Sequence, residues 1–367
     1  MTVEKGISVY AGLGYPVETI KRHLEMARDL GYSRLFTSLH IPEADQQAII
    51  PEFRSIIGHA GELGFRVTAD ISPRAFSLLG LNYLSAPALN SLGIDILRLD
   101  FGFTPAEIAR LTRESALHIE LNASTINTTI LAAILSAGAV TSRITACHNF
   151  YPRPETGLSY ELFQERTLLC QQYNIPVAAF IPSGKNPRGP IHQGLPTLEQ
   201  HRSLSPVVAA KHFLAGKLVD CIFFGDPLAP PEELASVASL ADECVELNVQ
   251  VESGLSQQEL AILFSRHTNR TDPGEHVIRS QEARGLCTGI IPARPVRPRA
   301  TGSVTIDNAG YLRYMGELQV AAKDLPPDPR VNIAATVVKE ELFLLKYITP
   351  GRPFRFKEVA VIENQSG

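Results

Sequence analysis

DILRLDFGFTPAEIARLTRESALHIELN, residues 95–122, holds one full period of the pattern that decides the fold. An apolar run at 95–100 ends in polar residues, a segment of helical period follows, and the next apolar run starts at 117. Outward from this stretch the same rhythm recurs in GISVYA (6–11), RLFTSL (34–39), RVTADI (66–71), RITACH (143–148), PVAAFI (176–181) and DCIFFG (220–225). The runs are short and rich in β-branched and aromatic residues, as strands buried on both faces require. Amphipathic stretches such as 17–30, 47–63 and 161–173 separate them, and Gly31, Gly64, Gly93 and Gly138 sit where helix C-caps are expected. A helix in every crossover forces neighbouring strands to run parallel. Eight such units within residues 1–245 predict an α/β protein built on a closed (β/α)8 TIM barrel. The rival, an open doubly wound sheet, lacks its fingerprint: Gly12-Leu13-Gly14 begins a Gly-x-Gly-x-x-Gly motif that fails at Val17.

After residue 245 the alternation stops, and residues 246–367 read as a smaller β-rich domain. Strands are expected at 247–252 and 302–306, a hairpin turn at 307–310, and an extended run at 311–320. Further runs lie at 332–338, 343–348 and 354–358. The segment 291–301, IPARPVRPRAT, carries Arg294, Arg297 and Arg299 among three prolines and reads as stiff, extended and cationic.

The 367 residues carry 34 basic and 38 acidic side chains, a formal charge of -4, which offers no support for a nucleic-acid or anionic-membrane binder. No run approaches a membrane span, and the first residues lack an export pattern, so a cytoplasmic enzyme is expected. The five cysteines are scattered, with no Cys-x-x-Cys pair, which speaks against a disulfide frame or a zinc ribbon.

In a barrel of this kind the chemistry lies where strands end at their C-terminal side. Those positions hold Tyr10, His40, Asp70, Arg98 and Asp100, Glu120 and Asn122, then His148, Asn149, Tyr151, Arg153 and Glu155, then Lys185 and Arg188. Alternation puts Arg98 and Asp100 on one face of the fourth strand, and Glu120 and Asn122 on one face of the fifth. A buried Arg98 then needs a neighbouring carboxylate. Several carboxylates at one ligand-filled mouth are the apparatus of glycoside cleavage, with Asp100, Glu120 and Asp70 as candidates. Asp226, ahead of Pro227, reads as a cap for the next helix. His40, Glu43, Asp70 and His148 are the nearest approach to a metal set, but Pro42 breaks the helix such ligands would share, and neither metal nor cofactor is expected. After the seventh strand, SGKNPRGP (183–190) offers backbone N–H groups, Lys185 and Arg188 to an oxyanion.

Longer strings carry a resemblance. FTSLHIPE (36–43), LRLDFGF (97–103), IELNAST (119–125), HNFYPRPETGLS (148–159), RGPIHQGLPTLEQHR (188–202) and GSVTIDNAGYLRYMGELQV (302–320) resemble a bacterial family of barrel proteins followed by a cyclophilin-like β-domain. That family includes the 6-phospho-N-acetylmuramidases of cell-wall recycling. The resemblance implies hydrolysis of the bond between 6-phospho-N-acetylmuramic acid and N-acetylglucosamine, with a phosphorylated amino-sugar disaccharide as the partner and neither nucleic acid nor membrane. Such a substrate, bearing a phosphate and a carboxylate, suits a cationic rim around an acidic centre. Tyr10, Phe150 and Tyr151 would supply stacking faces in a chain without tryptophan, and Arg297, Arg299 or Tyr311 would reach the ligand from the β-domain. Two other readings stand beside it: a phosphosugar isomerase or lyase, for which Lys185 is the lysine nearest a strand end, and a non-catalytic sugar-phosphate-binding protein. Oligomeric state is not encoded in any of these patterns.

Overall fold

A computed structural model describes residues 2–38, 49–71, 86–100, 102–114 and 117–359. The chain divides into two compact units: 1–213 with 217–240, and 214–216 with 241–367.

The first unit is a closed parallel barrel of β1 (Glu4–Ser8), β2 (Arg34–Ser38), β3 (Arg66–Asp70), β4 (Ile96–Leu99), β5 (His118–Asn122), β6 (Ile144–Cys147), β7 (Val177–Ile181) and β8 (Cys221–Pro227). All eight expected runs are strands, and β8 pairs parallel with β1, so no open edge remains. The helices between them include α1 (Val17–Asp29), α2 (Ile49–Glu62), α3 (Ala86–Ser91), α4 (Pro105–Glu114), α5 (Thr128–Ser136), α6 (Tyr160–Gln171), α7 (Pro206–Gly216) and α8 (Pro231–Ala238). Helix α1 buries Ile20, Leu24 and Ala27, one stripe at helical spacing, and Gly31 closes it with φ +88°, a conformation a side chain would strain.

Aromatic rings fill the barrel. Phe36, Phe180 and Phe223 lie wholly buried, with the Phe36 and Phe180 centroids 5.0 Å apart and nearly perpendicular. Each such ring contributes about 2–3 kcal/mol by leaving water. Phe223 takes the space at Gly6, where an added Cβ would stand 2.3 Å from its ring. Cys147 belongs to this buried layer.

The second unit is a mixed sheet of β9 (Val245–Val251), β10 (His267–Thr268), β11 (Val277–Arg279), β12 (Ser303–Asp307), β13 (Leu318–Ala321), β14 (Val331–Val337) and β15 (Pro353–Glu358), in the order β10-β15-β9-β14-β12-β13-β11. Only β15 and β9 run parallel among its pairs. Two expectations need correction. Residues 311–317 are not strand: Ala309–Tyr314 forms 3-10 turns, opened by Asn308, whose side chain accepts the Gly310 N–H. The apolar run 343–348 falls mostly in another 3-10 segment, Lys339–Tyr347, which buries Leu344 and Leu345 against the sheet. No described helix is long and apolar enough to cross a membrane.

Candidate active site at the barrel rim

Inward positions of neighbouring strands align as Ser38, Asp70, Arg98, Glu120 and Thr145. Because the strands tilt, this row descends from the end of β3 to the start of β6. Asp70 therefore ends its strand at the rim, where it accepts a hydrogen bond from Ser38 Oγ at 3.2 Å. Glu120 does not end its strand. It sits two residues before Asn122, about 7 Å lower along the strand, and is wholly buried. The expectation of Glu120 at the rim is thus corrected: its side was right and its depth was not. Burial pushes its carboxyl up, against the pull of Arg98 and Arg34.

Arg98, 2% exposed, joins this interior layer to the rim. Its Nη1 donates to Glu120 at 3.3 Å and to the Cys147 carbonyl at 3.0 Å. Its Nη2 donates to Asn149 Oδ1 at 2.6 Å and stands 4.0 Å from Asp100. Asp100 follows β4 and accepts from Asn122 Nδ2. Asn122 also accepts the Ser124 N–H, and Ser124 Oγ accepts the Asn149 N–H at 2.8 Å. The Tyr151 hydroxyl lies beside Ser124 and Asn149, and burial raises its pKa. Asp100, Asn122, Asn149 and Tyr151 are therefore brought together as one polar cluster anchored on Arg98.

Other expected residues lie elsewhere. His148 is wholly buried behind the cluster, between Thr167 at 2.9 Å and Ser124, and burial pushes its pKa down to about 3. It is a neutral core histidine rather than a substrate contact. Tyr10, 1% exposed, donates its hydroxyl to the Gly225 carbonyl at 2.7 Å. No stacking face is free on it, because the Arg188 guanidinium lies 4.7 Å above its ring and 5.2 Å above that of Phe150. Lys185 is an exposed lysine paired with Glu232 at 2.6 Å. Arg153 and Glu155 are exposed on the loop after β6. Arg297 pairs with Glu252, Arg299 donates to the Pro326 carbonyl, and Tyr311 donates to Asp328, each inside the second unit. His40 and Glu43 lie outside the described residues.

The loop after β7 also departs from expectation. The N–H groups of Ser183 and Arg188 go to Asp226, that of Gly184 to Glu233, and those of Lys185 and Asn186 to Ser183 Oγ. These donors are used inside the protein, so they cannot cradle an oxyanion. What the loop offers is Arg188: its Nε is buried without a partner, and nothing among the described residues accepts from its guanidinium. A half-buried cation with an unused donor is a place for an anionic oxygen.

Sequence reasoning missed two carboxylates. Asp226 is no helix cap; it is buried and accepts three backbone N–H groups of the loop after β7, including that of Leu195. Glu199 accepts the N–H groups of Glu155 and Gly157, both at 2.8 Å, and pairs with Arg202 at 2.7 Å, which holds its pKa down near 2. Arg202 in turn donates to the carbonyls of Tyr151 and Gln193, clasping the loops after β6 and β7 together. One cue was present in sequence: Gly157 stands in ETG because a Cβ there would meet Glu199 at 2.6 Å.

Among known sequences, the model of a family described as 6-phospho-N-acetylmuramidase, N-terminal, matches residues 5–239, and its C-terminal counterpart matches 245–357. No curated protein matches the chain. Two solved structures are similar over nearly all of it. An uncharacterized B. cereus protein is 34% identical, with 98% of this chain and 100% of that chain covered and a TM-score of 0.90. A conserved protein of unknown function from Enterococcus faecalis is 33% identical, with 98% of each chain covered and a TM-score of 0.75.

Proposed function

The chain belongs to the 6-phospho-N-acetylmuramidase family, a family of glycosidases, and on that premise we propose that it hydrolyses the bond between 6-phospho-N-acetylmuramic acid and N-acetylglucosamine. The observation that carries the reading is Arg188, a guanidinium seated on Tyr10 and Phe150 with an unpartnered Nε, on the same barrel as the rim carboxylates Asp70 and Asp100. It takes the sugar phosphate, and the carboxylates act on the glycosidic bond.

Asp100 and Asp70 are the reacting pair in this reading, since Glu120 is shut away beneath Arg98. The protonated carboxyl gives its proton to the glycosidic oxygen as the bond to the anomeric carbon breaks. Water then adds to that carbon and returns a proton to a carboxylate. Asn122, Asn149 and Tyr151 hold the 2-acetamido group, whose carbonyl oxygen can first close on the anomeric carbon in a substrate-assisted route. A cytoplasmic setting, a part in wall-sugar recycling and a cyclophilin-like second unit go with the same proposal. The imine-forming lyase reading loses its lysine: the hydrogen bond to Glu232 raises the Lys185 pKa and keeps an exposed ammonium charged.

The test is turnover of the phosphorylated disaccharide by Asp100→Asn and Asp70→Asn, with products identified by mass spectrometry. Each variant should lose about a thousandfold or more in kcat while melting within a few degrees of the parent. Near-normal turnover in both removes the pair, and binding without turnover by the parent protein makes it a sensor.

A further inference from the structure

We infer that Asp226 is the positioning residue of the anion site: from the last strand of the barrel it fixes the backbone that carries Arg188, and so sets the preference for a phosphorylated sugar. The inference rests on the reading of Arg188 as the phosphate contact.

Loop 182–195 has little regular structure of its own, so something else must fix its path. Asp226 does so at three points. Its Oδ2 accepts from the Ser183 N–H at 2.8 Å and the Leu195 N–H at 3.0 Å, at the two ends of the loop. Its Oδ1 accepts from the N–H of Arg188 itself at 2.8 Å, in the middle. At 1% exposure, with both oxygens engaged by backbone, Asp226 cannot touch substrate. Its surroundings leave no slack: a Cβ at Gly225 would lie 2.4 Å from the Leu195 carbonyl, and one at Gly194 2.9 Å from Pro182. Glu233 supports the first turn alone, accepting from Ser183 Oγ at 2.7 Å and Gly184 N at 3.1 Å.

The guanidinium therefore starts from a backbone nitrogen held by Asp226 and ends on two aromatic rings. An ionised carboxylate is an acceptor on both oxygens, so it alone satisfies all three N–H groups. Asparagine at 226 keeps one acceptor and turns an N–H2 group toward either Arg188 N or the Ser183 and Leu195 pair. The loop must then shift, and Arg188 with it.

The experiment is titration calorimetry of the full chain with N-acetylmuramic acid 6-phosphate and with unphosphorylated N-acetylmuramic acid, for the parent, Asp226→Asn, Glu233→Gln and Arg188→Gln, with melting curves to confirm folding. Asp226→Asn should weaken binding of the phosphorylated sugar about tenfold and leave the unphosphorylated sugar within about threefold. Glu233→Gln, which loosens only the first turn, should lose a smaller part of the preference, and it carries the test if Asp226→Asn does not fold. Equal weakening of both ligands would mean a merely structural role and overturns the inference, as does a full preference in Asp226→Asn or, where that variant does not fold, in Glu233→Gln. Arg188→Gln separates the two layers. Preference lost there but kept in Asp226→Asn removes the inference alone, whereas preference kept in Arg188→Gln removes the phosphate reading beneath it.

Discussion

Arg98 has almost no solvent, and its charge is met by Glu120 at 3.3 Å inside the barrel. Removing one partner of a buried pair strands the other, at a cost of about 3–5 kcal/mol. Glu120→Ala should therefore lower unfolding free energy by about that amount in urea titrations, whereas Asp100→Asn, at a group 34% exposed, should cost less than about 1 kcal/mol. Equal effects would mean that Glu120 is not the counter-charge. The need for a carboxylate beside Arg98 was legible in sequence, because alternation shows which residues of β4 and β5 share a face, but that Glu120 is the partner was not. The depth was not: a period of two reports which side a residue faces, and the strand tilt that lowers Glu120 is a property of the closed barrel. His148 misled for a related reason, since a histidine just past a strand looks the same in sequence whether it faces the mouth or packs on Phe163.

At the scale of elements, the clasp of Glu199 and Arg202 holds the loop after β6. Gly157→Ala places a methyl group against the Glu199 carboxylate and should release that loop, giving faster limited proteolysis near 150–159 with the barrel intact. An unchanged cleavage pattern would contradict the clasp. Strand β12 ends in Asp307, whose carboxyl is buried beside Glu317 and Asp328; burial first, then these two charges, pushes its pKa up to about 7. Between about pH 4 and 7 the folded chain binds the extra proton, so stability should fall as pH rises through that window. Asp307→Asn should then stabilise the protein by on the order of 2 kcal/mol at pH 8 and by little at pH 4, read from melting curves at both values. A variant less stable than the parent at pH 8 would contradict this. The turn after β12 was legible from Asp307-Asn308-Ala309-Gly310, but its length was not, since the 3-10 path to Tyr314 rests on Asn308 contacts with Pro329 and Asn332 far along the chain.

For the molecule as a whole, the barrel was legible because each of its eight strands repeats one local pattern and closure follows from their number. The rim was only half legible. Strand-end carboxylates announce themselves by position, whereas the use of the loop 183–190 depended on where its N–H groups went, and those of Ser183, Gly184 and Arg188 went to Asp226 and Glu233, more than thirty-five residues downstream. That leaves Arg188 as the cation this loop brings over the barrel's aromatic layer. The most direct measurement is kcat/KM on muramyl disaccharide with and without the 6-phosphate. A ratio of about a hundred or more in favour of the phosphorylated substrate, with the 6-phosphosugar and N-acetylglucosamine as products, is the predicted result. Equal cleavage of the two disaccharides, or cleavage of neither, would contradict it.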